Sequence, residues 1–513
     1  MDISVPARLQ WFENQQAILV HHPLSLPLLF FSLFFLLCFN RVWPAKATNL
    51  PPSPPKLPII GHLHCLGTLP HRSLQALSEK YGPLMLLQLG QTPALVVSSA
   101  AMAKQIMKTH DIIFANRPIT TASKLFLYGC KDITFAPYGE YWRQMRKICI
   151  LDLLSVKRVQ SFSFVRKEEI ANMVNDIKQS CSLGRKINLS GLIVSATNNI
   201  ISRVALGRSW GTEYAELTTQ VMDLFGILSM EDVFPSLGWI DVLTGLHRKM
   251  KKTSKTMHQF VDEVIEEHVL GRNDDNRKAD QKDFVDILLD YEEDPTPTFE
   301  FTRENLKAVI IDMFVAGTDT IYTTLEWAMA ELVNHPNEMK ILQEEIHRVV
   351  GDKSEVDENE ISQMDYLSCV IKETLRLHPP LVMVIPRVSS ARSDIDGYNI
   401  PANTRVIINA WAIARDPKIW DKPNEFIPGR FIKNKVDFRG QDFEFIPFGA
   451  GRRGCPGISF GITSIESILA SLLYWFDWES PSGNTNEKID MSEAFGLSVH
   501  MKSPLNLVPK FRT

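Results

Sequence analysis

One ten-residue stretch near the end of the chain restricts the fold more than any other feature. Residues 448–457 read Phe-Gly-Ala-Gly-Arg-Arg-Gly-Cys-Pro-Gly, so a lone cysteine follows a turn rich in glycine and arginine. Glycines allow the backbone to lie close against a flat group, and an arginine can bind an anionic one. Pro456 suits the first turn of a helix, whose N-terminus favours the thiolate form of Cys455. The stretch predicts a tight turn that presents a thiolate to a flat, anionic ligand.

The same stretch fits the pattern Phe-x-x-Gly-x-Arg-x-Cys-x-Gly at every fixed position. It thereby resembles the haem-binding loop of the cytochrome P450 superfamily. The resemblance implies that Cys455 is the axial ligand of the iron of a haem b and that Phe448, Arg453 and Gly457 contact the haem. It also implies the mainly α fold of that family, with a small β region.

A second motif overlaps this loop and leads to a different class of enzyme. Residues 449–454 also read Gly-x-Gly-x-x-Gly, the dinucleotide-binding fingerprint. That fingerprint needs a strand before it and a helix after it, within a βαβ unit that carries an acid at the end of its second strand. Pro447 interrupts an entering strand, but Asp477 and Glu479 follow at a suitable distance in a strand-like segment. An NAD(P)-dependent dehydrogenase is therefore one alternative, and a non-catalytic haem-binding protein is another.

Length and composition limit the class of protein. A chain of 513 residues, 45% of them hydrophobic, can bury one large core. The net charge of −4 and the absence of long basic runs give no reason to expect a nucleic-acid partner. The seven cysteines include no Cys-x-x-Cys pair, which argues against a structural zinc site and a disulfide framework. A reducing compartment fits this pattern.

The amino-terminal segment, residues 1–48, predicts a membrane anchor at about residues 17–40. Residues 24–39 carry no charge, and basic residues follow at Arg41 and Lys46, which places the body in the cytosol. A cleaved signal peptide is the alternative, but the segment before the apolar run is long and acidic residues offset its arginine. Residues 49–58 predict a stiff proline-rich hinge, and the resemblance implies that residues 59–513 form a haem-thiolate catalytic domain. The resemblance implies a single-pass protein of the endoplasmic reticulum membrane.

Residues 135–147 open a predicted helix that carries two further candidate haem contacts. Trp142 and Arg146 lie four residues apart and therefore share one face. On the residues alone, a surface helix with a basic stripe is the favoured interpretation. The superfamily's Trp-x-x-x-Arg motif matches these positions, and it implies that both side chains contact a haem propionate.

Residues 304–334 predict the longest helix, with Thr302 as its cap and Pro336 just beyond its end. Its middle reads Ala-Gly-Thr-Asp-Thr, and a glycine beside back-bonding threonines predicts a local opening of the helix. The resemblance implies that Thr320 and Asp319 deliver protons for oxygen activation and that Ala316 lines the substrate pocket. Ile321 departs from the family pattern, which often has a second hydroxyl there. The sequence therefore does not specify how water molecules are arranged around Thr320 and Asp319.

Glu373 and Arg376 stand three residues apart on another predicted helix. Alone, such a pair is a surface salt bridge worth well under about 1 kcal/mol. The resemblance implies instead a buried triad with Arg430. Gly429 replaces the glutamate usual in the family's motif, which predicts a weaker local ion network.

The remaining pocket candidates lie late in the chain. The apolar run 381–386 could be part of the core, but the resemblance implies that it flanks the substrate. The resemblance also implies that Arg387, which ends this run, contacts a haem propionate. Asp312 precedes Ala316 by one helical turn and is either a structural partner or a contact for a protonated amine. The pocket residues implied here are Leu381, Ile385, Phe495 and Leu497, with Arg387 as the propionate contact.

The amino-acid sequences of residues 135–147 and 447–457 resemble, in particular, those of plant microsomal (A-type) members of this superfamily that act in specialised metabolism. The resemblance implies an enzyme that takes two electrons singly from an NADPH-dependent cytochrome P450 reductase, activates O2 and oxidises a lipophilic small molecule. The apolar pocket candidates fit terpenoids, alkaloids and phenylpropanoids equally. The sequence therefore predicts a haem-thiolate monooxygenase whose substrate and reaction outcome are not specified.

Overall fold

Helices make up most of the described chain, and short strands form four small sheets. The computed structural model describes residues 31–32, 49–271, 282–293, 300–481 and 488–512. Of the predicted anchor, only Phe31 and Ser32 are described, in helical conformation, so that prediction lies outside the described residues. The α-helices are α1 (Pro70–Tyr81), α2 (Ala100–Lys104), α3 (Thr121–Phe126), α4 (Glu140–Ile148), α5 (Val156–Ser161), α6 (Ser163–Ser182), α7 (Leu189–Leu206), α8 (Thr212–Gly226), α9 (Met230–Val233), α10 (Trp239–Leu243), α11 (Leu246–Gly271), α12 (Phe284–Glu293), α13 (Arg303–Asn334), α14 (Pro336–Val350), α15 (Glu358–Ile361), α16 (Asp365–Leu377), α17 (Ala410–Ile413) and α18 (Ile458–Trp475). The strands are β1 (Leu84–Leu89), β2 (Thr92–Val97), β3 (Ile187–Asn188), β4 (Met383–Val388), β5 (Ser393–Ile395), β6 (Tyr398–Ile400), β7 (Arg405–Asn409), β8 (Phe476–Glu479), β9 (Glu493–Phe495), β10 (Val499–Met501) and β11 (Asn506–Phe511).

The central helix α13 is 32 residues long and begins at the predicted cap. The Thr302 hydroxyl accepts a hydrogen bond from the Asn305 backbone, and the Asn305 side chain accepts one from the Thr302 N–H at 2.7 Å. The predicted local opening near residue 317 is wrong, because the segment is helical throughout. Gly317 instead allows a close approach of α7: an added Cβ would lie 2.9 Å from Ile201 Cδ1. The glycine accommodates this helix packing, and a larger residue would require the end of the Ile201 side chain to move.

The largest sheet has the strand order β1-β2-β7-β4. Strands β1 and β2 form an antiparallel hairpin that pairs Leu84 with Val97 and Leu89 with Thr92. Strands β4 and β7 are antiparallel, and their register shifts between Val384 and Arg387. Pro386 lies in that irregular stretch and has no N–H to donate to the neighbouring strand. The shift frees the carbonyl groups of Ile385 and Pro386 for a contact described below.

The strand that follows α18 excludes the dinucleotide-binding alternative. A βαβ unit requires parallel strands, but β8 pairs antiparallel with β11. The residues just before Gly449 form turns, not an entering strand. The Gly-x-Gly-x-x-Gly motif therefore has neither of the strands that a dinucleotide site needs.

Three described helices, α7, α13 and α18, are long and apolar enough to cross a membrane by length and composition alone. In each of them 67–78% of the apolar window is buried inside the protein, so they form its core. The proline-rich hinge is extended and lies against the first sheet, where the Leu86 N–H donates to the Pro52 carbonyl at 2.9 Å. Pro51 and Pro54 are buried.

Candidate functional site

A large cavity lies between α13, strand β4 and the loop that carries Cys455. The space between its lining atoms, including open solvent at the mouth, is about 1360 Å³. Most of its wall is apolar. Of the sequence-predicted residues, Ala316, Thr320, Leu381, Ile385, Arg146, Phe448, Arg453, Cys455 and Gly457 line it.

The cysteine loop is held in a shape that only glycine permits at one position. Gly451 has φ +68°, and an added Cβ there would lie 2.1 Å from the Met107 carbonyl oxygen. The Cys455 N–H donates to the Phe448 carbonyl at 2.9 Å and closes the loop. Gly457 is the N-cap of α18, so Cys455 lies just before a helix N-terminus. Cys455 is exposed toward the cavity, but desolvation by the surrounding protein raises the pKa of its thiol, although the Gly457 N–H and Arg146 lower it.

The predicted propionate contacts meet at one end of the cavity. Arg146 donates to the Gly454 carbonyl at 2.6 Å, and Arg453 donates to the Ala115 carbonyl at 2.7 Å. The Ile133 carbonyl accepts from the Trp142 indole at 2.9 Å and from Arg453 at 3.2 Å. Trp142 itself is buried beneath the two guanidinium groups and does not line the cavity.

Arg387 lies behind the cavity lining and joins the cysteine loop to the rest of the body. Its guanidinium donates to the Ala450 carbonyl at 2.8 Å and pairs with the Asp111 carboxylate at 3.1 Å. Its Nε is buried and has no hydrogen-bond partner among the described residues. Asp111 also accepts from the Arg452 N–H at 2.9 Å, so it positions the loop as well as the arginine.

Arg117 lines the cavity and was missed by the sequence interpretation. It donates to the Thr134 carbonyl at 2.9 Å, to the Pro386 carbonyl at 3.1 Å and to the Ile385 carbonyl, which the register shift of β4 exposes. The only local signal was an arginine before a proline in an otherwise apolar segment. Its partners come from segments far away in the sequence.

These four arginines leave a surplus of positive charge inside the protein. Burial, together with repulsion from Arg387 and Arg146, lowers the pKa of Arg453 to about 9, and Asp132 and Asp111 partly oppose this change. Burial also lowers the pKa of Arg117, with added repulsion from Arg453 and Arg387. Buried charges are normally paired, so the cluster requires an anionic partner. The two propionates of a haem supply such charge, and the glycine loop with its cysteine fits the flat ring and its iron.

Thr320 and Asp319 point in different directions from the central helix. Thr320 lines the cavity, and its hydroxyl donates to the Ala316 carbonyl at 2.8 Å. Asp319 is buried outside the cavity lining, and its Oδ2 has no hydrogen-bond partner among the described residues. Burial raises the pKa of the Asp319 carboxyl, while the Ser498 hydroxyl, which lies near it without a hydrogen bond of regular geometry, and His500 lower it.

Asp312 lines the cavity but is occupied as a structural partner. Its Oδ2 accepts from the N–H groups of Ile133 at 2.9 Å and Thr134 at 3.2 Å. Burial and the nearby Asp132 raise its pKa well above the usual value, which disfavours the anion that a protonated amine would need. The contacts match the structural alternative and give no support to an amine contact.

Phe495 and Leu497 lie outside the cavity lining that the resemblance suggested for them. Phe495 stands in strand β9, where its ring stacks on His71 at a centroid distance of 6.3 Å. Leu497 packs against the main hydrophobic core. Gly226 allows this turn to approach α8 closely, because an added Cβ there would lie 2.6 Å from Leu497 N.

Glu373, Arg376 and Arg430 meet in the interior. Arg376 donates to both carboxylate oxygens of Glu373 at 2.7 and 2.8 Å, and both residues are 0% exposed. The Glu373 carboxylate also accepts a hydrogen bond from Arg430 at 2.9 Å and one from the Ile427 N–H at 2.8 Å. Beside Gly429, the other donors of Arg430 bind backbone carbonyls, among them that of Asp421 at 2.8 Å. The pair is therefore not a surface salt bridge.

Comparisons with known proteins agree with this geometry. A family model described as Cytochrome P450 matches residues 51–507. Cytochrome P450 71A1 of Persea americana is 53% identical over 457 residues, covering 88% of this chain and 91% of its own. Phenylacetaldehyde oxime monooxygenase CYP71AN24 of Prunus mume is 50% identical, covering 94% of each chain, and strychnine-11-hydroxylase of Strychnos nux-vomica is 44% identical, covering 95% of this chain and 98% of its own. A solved zebra fish cytochrome P450 with abiraterone aligns with a TM-score of 0.73 and 25% identity, covering 87% of this chain and all of that one.

Proposed function

The chain belongs to the cytochrome P450 family and is a haem-thiolate monooxygenase, and from this premise we propose which of its residues bind the haem, the substrate and the membrane. The enzyme uses O2 and electrons from a redox partner to oxidise a lipophilic plant specialised metabolite. The single observation that carries the assignment of sites is the meeting of the cysteine loop with three cavity-lining arginines, Arg117, Arg146 and Arg453, and with the buried Arg387 behind them.

Cys455 is proposed as the ligand of the haem iron. Arg146, Arg453, Arg387 and Arg117 would hold the propionates, because their charge surplus is relieved by two carboxylates. Phe448 and Gly457 line the same side of the cavity and would pack on the ring, while Trp142 supports the arginines from behind. When bound, the haem supplies the activation of dioxygen for insertion of one oxygen atom into the substrate.

Thr320 and Asp319 are proposed to move protons into the cavity. A dry, apolar pocket needs positioned groups to supply the protons that oxygen activation consumes. The Thr320 hydroxyl reaches the cavity, and the adjacent Asp319 is a buried carboxylate beside Ser498. Thr320 would hold the proton at its Oγ1, and Asp319 would restore it.

The substrate is proposed to lie among Ala316, Leu381 and Ile385. These side chains offer only apolar surface, so the shape of the pocket would set the orientation of the substrate. Asp312 adds no anionic contact there because its carboxylate binds the backbone of another segment. A neutral, lipophilic substrate therefore fits this pocket better than a charged one.

The redox partner is proposed to be NADPH-cytochrome P450 reductase, with the protein anchored once in the endoplasmic reticulum membrane and its body in the cytosol. Plant enzymes of this type are generally membrane-bound. Large apolar side chains near the hinge are exposed, such as Ile59 at 61%, Trp239 at 57% and Leu243 at 75%. Ile59 and the α9–α10 segment lie near each other, since the turn at Gly90 contacts both the Ile60 carbonyl and the Phe234 ring. These exposed groups support a membrane-facing surface there.

The reduced, carbon-monoxide-bound spectrum tests the central assignment. Cys455→Ser should abolish the thiolate-type band, because a hydroxyl is a far poorer iron ligand than a thiolate. Cys181→Ser, a half-buried cysteine on α6, serves as the matched control and should keep the band. A Cys455→Ser protein that retained the band would refute the assignment.

A further inference from the structure

One side of the cavity is formed by a short segment that belongs to no helix or strand. Residues 131–139 lie between α3 and α4 without regular secondary structure, and Ile133 and Thr134 of this segment line the cavity. Phe135 is not part of the lining, and its ring stacks on Phe225 of α8 at a centroid distance of 5.3 Å. Asp132 is 0% exposed. We call residues 132–135 the pocket wall.

The carbonyl groups of the pocket wall are bonded to side chains from distant parts of the chain. The Ile133 carbonyl accepts from the Trp142 indole at 2.9 Å and from Arg453 at 3.2 Å. The Thr134 carbonyl accepts from Arg117 at 2.9 Å. A buried backbone group without a partner costs free energy, so a segment outside helices and sheets keeps one shape where side chains satisfy it. The shape of the pocket wall therefore depends on a few side chains.

Two buried carboxylates bind the N–H groups of the same segment. Asp132 Oδ2 accepts from the Thr134 N–H at 2.9 Å and from the Phe135 N–H at 2.6 Å. Asp312 Oδ2 on α13 accepts from the Ile133 N–H at 2.9 Å and from the same Thr134 N–H at 3.2 Å. Asp132 closes the turn locally, because an aspartate side chain can bond the backbone a few residues ahead of it. The three consecutive N–H groups are thus divided between a local carboxylate and one on the central helix.

Only one oxygen of Asp132 takes part in this contact. Oδ1 is buried without a hydrogen-bond partner among the residues that the structure describes, and both N–H groups donate to Oδ2. Burial raises the pKa of Asp132 to about 6, although the N–H groups of Phe135 and Thr134 and the nearby Arg453 lower it. Because Asp132 and Asp312 are both within hydrogen-bond distance of one nitrogen, the pair retains one proton near neutral pH. An amide oxygen can therefore take the place of Oδ2.

We propose that Asp132 is a positioning residue that determines the shape of the substrate pocket by fixing Ile133 and Thr134 in the cavity. The proposal rests on the proposed function, because it names a residue that decides which lipophilic molecule fits beside the haem. Without the Oδ2 acceptor, the Phe135 N–H loses its bond and the Thr134 N–H keeps only the longer bond to Asp312. The pocket wall then has to move until these donors find other acceptors, and its two cavity side chains move with it.

The first test uses ligands that the haem iron holds in place. Imidazole binds the iron through one nitrogen, and 4-phenylimidazole adds a phenyl ring that must find room among the cavity-lining side chains. The ratio of their dissociation constants, read from the shift of the haem absorbance, therefore reports the shape of the pocket. We expect Asp132→Ala to lower the preference for 4-phenylimidazole at least about threefold, because a wall that has lost two hydrogen bonds packs less closely on the ring. Asp132→Asn keeps the oxygen acceptor and should restore the parent preference.

Glu345→Ala is the matched control. Glu345 is a buried carboxylate outside the cavity lining that also accepts two backbone N–H groups, from Tyr366 at 2.9 Å and from Leu367 at 3.0 Å. Its loss should leave the ligand preference unchanged. A parent-like preference in Asp132→Ala would overturn the proposal, and so would equal changes in Asp132→Ala and Asp132→Asn, which would assign the effect to charge. A change of the same size in Glu345→Ala would overturn it as well, because it would reflect a general loosening of the fold.

The second test does not require the alanine variant to fold. Hydrogen exchange of the parent protein, measured by mass spectrometry on peptides that cover residues 130–139, should be slow at Thr134 and Phe135 although these residues lie outside helices and strands. Where Asp132→Ala folds, exchange should be faster in these peptides than in the parent. Fast exchange in the parent would overturn the proposal by itself. A parent protein without haem absorbance would instead refute the proposed function, so the two failures are distinguishable.

Discussion

Arg430 offers a sharp test of the buried triad, because Glu373 has a second cationic partner that remains after its removal. In Arg430→Ala the carboxylate keeps both hydrogen bonds from Arg376 and one from the Ile427 N–H. The loss is one charge-assisted hydrogen bond to a residue that is 0% exposed, together with the bonds that Arg430 makes to backbone carbonyls.

The magnitude follows from this inventory. A hydrogen bond to a charged group contributes about 1.5–3 kcal/mol, and we expect Arg430→Ala to lower the free energy of unfolding by that amount. Arg376→Ala removes two bonds to Glu373 and three to carbonyl groups, leaving a buried carboxylate poorly paired. Its cost should reach about 3–5 kcal/mol. The order of the two variants is the specific expectation.

Urea unfolding of the haem-loaded protein, followed by haem absorbance and tryptophan fluorescence, measures both losses. Arg439→Ala is the control, because Arg439 is 79% exposed and pairs with Asp437 at 3.1 Å. A surface pair of this kind contributes at most about 1 kcal/mol. Activity per bound haem should change little in Arg430→Ala. Equal stability of Arg430→Ala and Arg439→Ala would refute the reasoning, as would a larger loss in Arg430→Ala than in Arg376→Ala.

Two further predictions concern the central helix and a buried histidine. Thr320→Ala should keep the helix and haem binding but form less product per NADPH and more hydrogen peroxide. Thr318→Ala loses a hydrogen bond of the same kind to the Phe314 carbonyl and serves as the control, which should keep the parent ratio of product to NADPH. An unchanged ratio in Thr320→Ala would support a purely structural hydroxyl. Burial lowers the pKa of His268, but its 2.9 Å hydrogen bond to Asp283 outweighs this effect and leaves the pKa raised. The protonated His268 therefore stabilises the fold at low pH, and this contribution is lost as the pH rises through the raised pKa. In urea titrations His268→Gln should therefore cost more at about pH 6 than at about pH 9, and an equal loss at both would contradict the charged pair.

Local sequence signals determined several elements on their own. Thr302 and the apolar pattern after it fix where α13 begins, and the hairpin β1-β2 follows from strand patterns around a turn. The glycine pattern around Cys455 predicts a tight turn before a helix, and α18 begins at Ile458. These features depend on groups within a few residues of one another, so the chain encodes them directly.

Only the tertiary structure decided the rest, because the deciding partners are distant in sequence. Gly317 predicts a break by its own propensity, yet it packs against Ile201 of α7 and the helix continues. Asp312 binds the backbone of Ile133, and Arg117 binds carbonyls exposed by the shifted register of β4. A side chain's local pattern gives its helix face or strand position, but its charge state and role depend on which distant groups the fold packs against it.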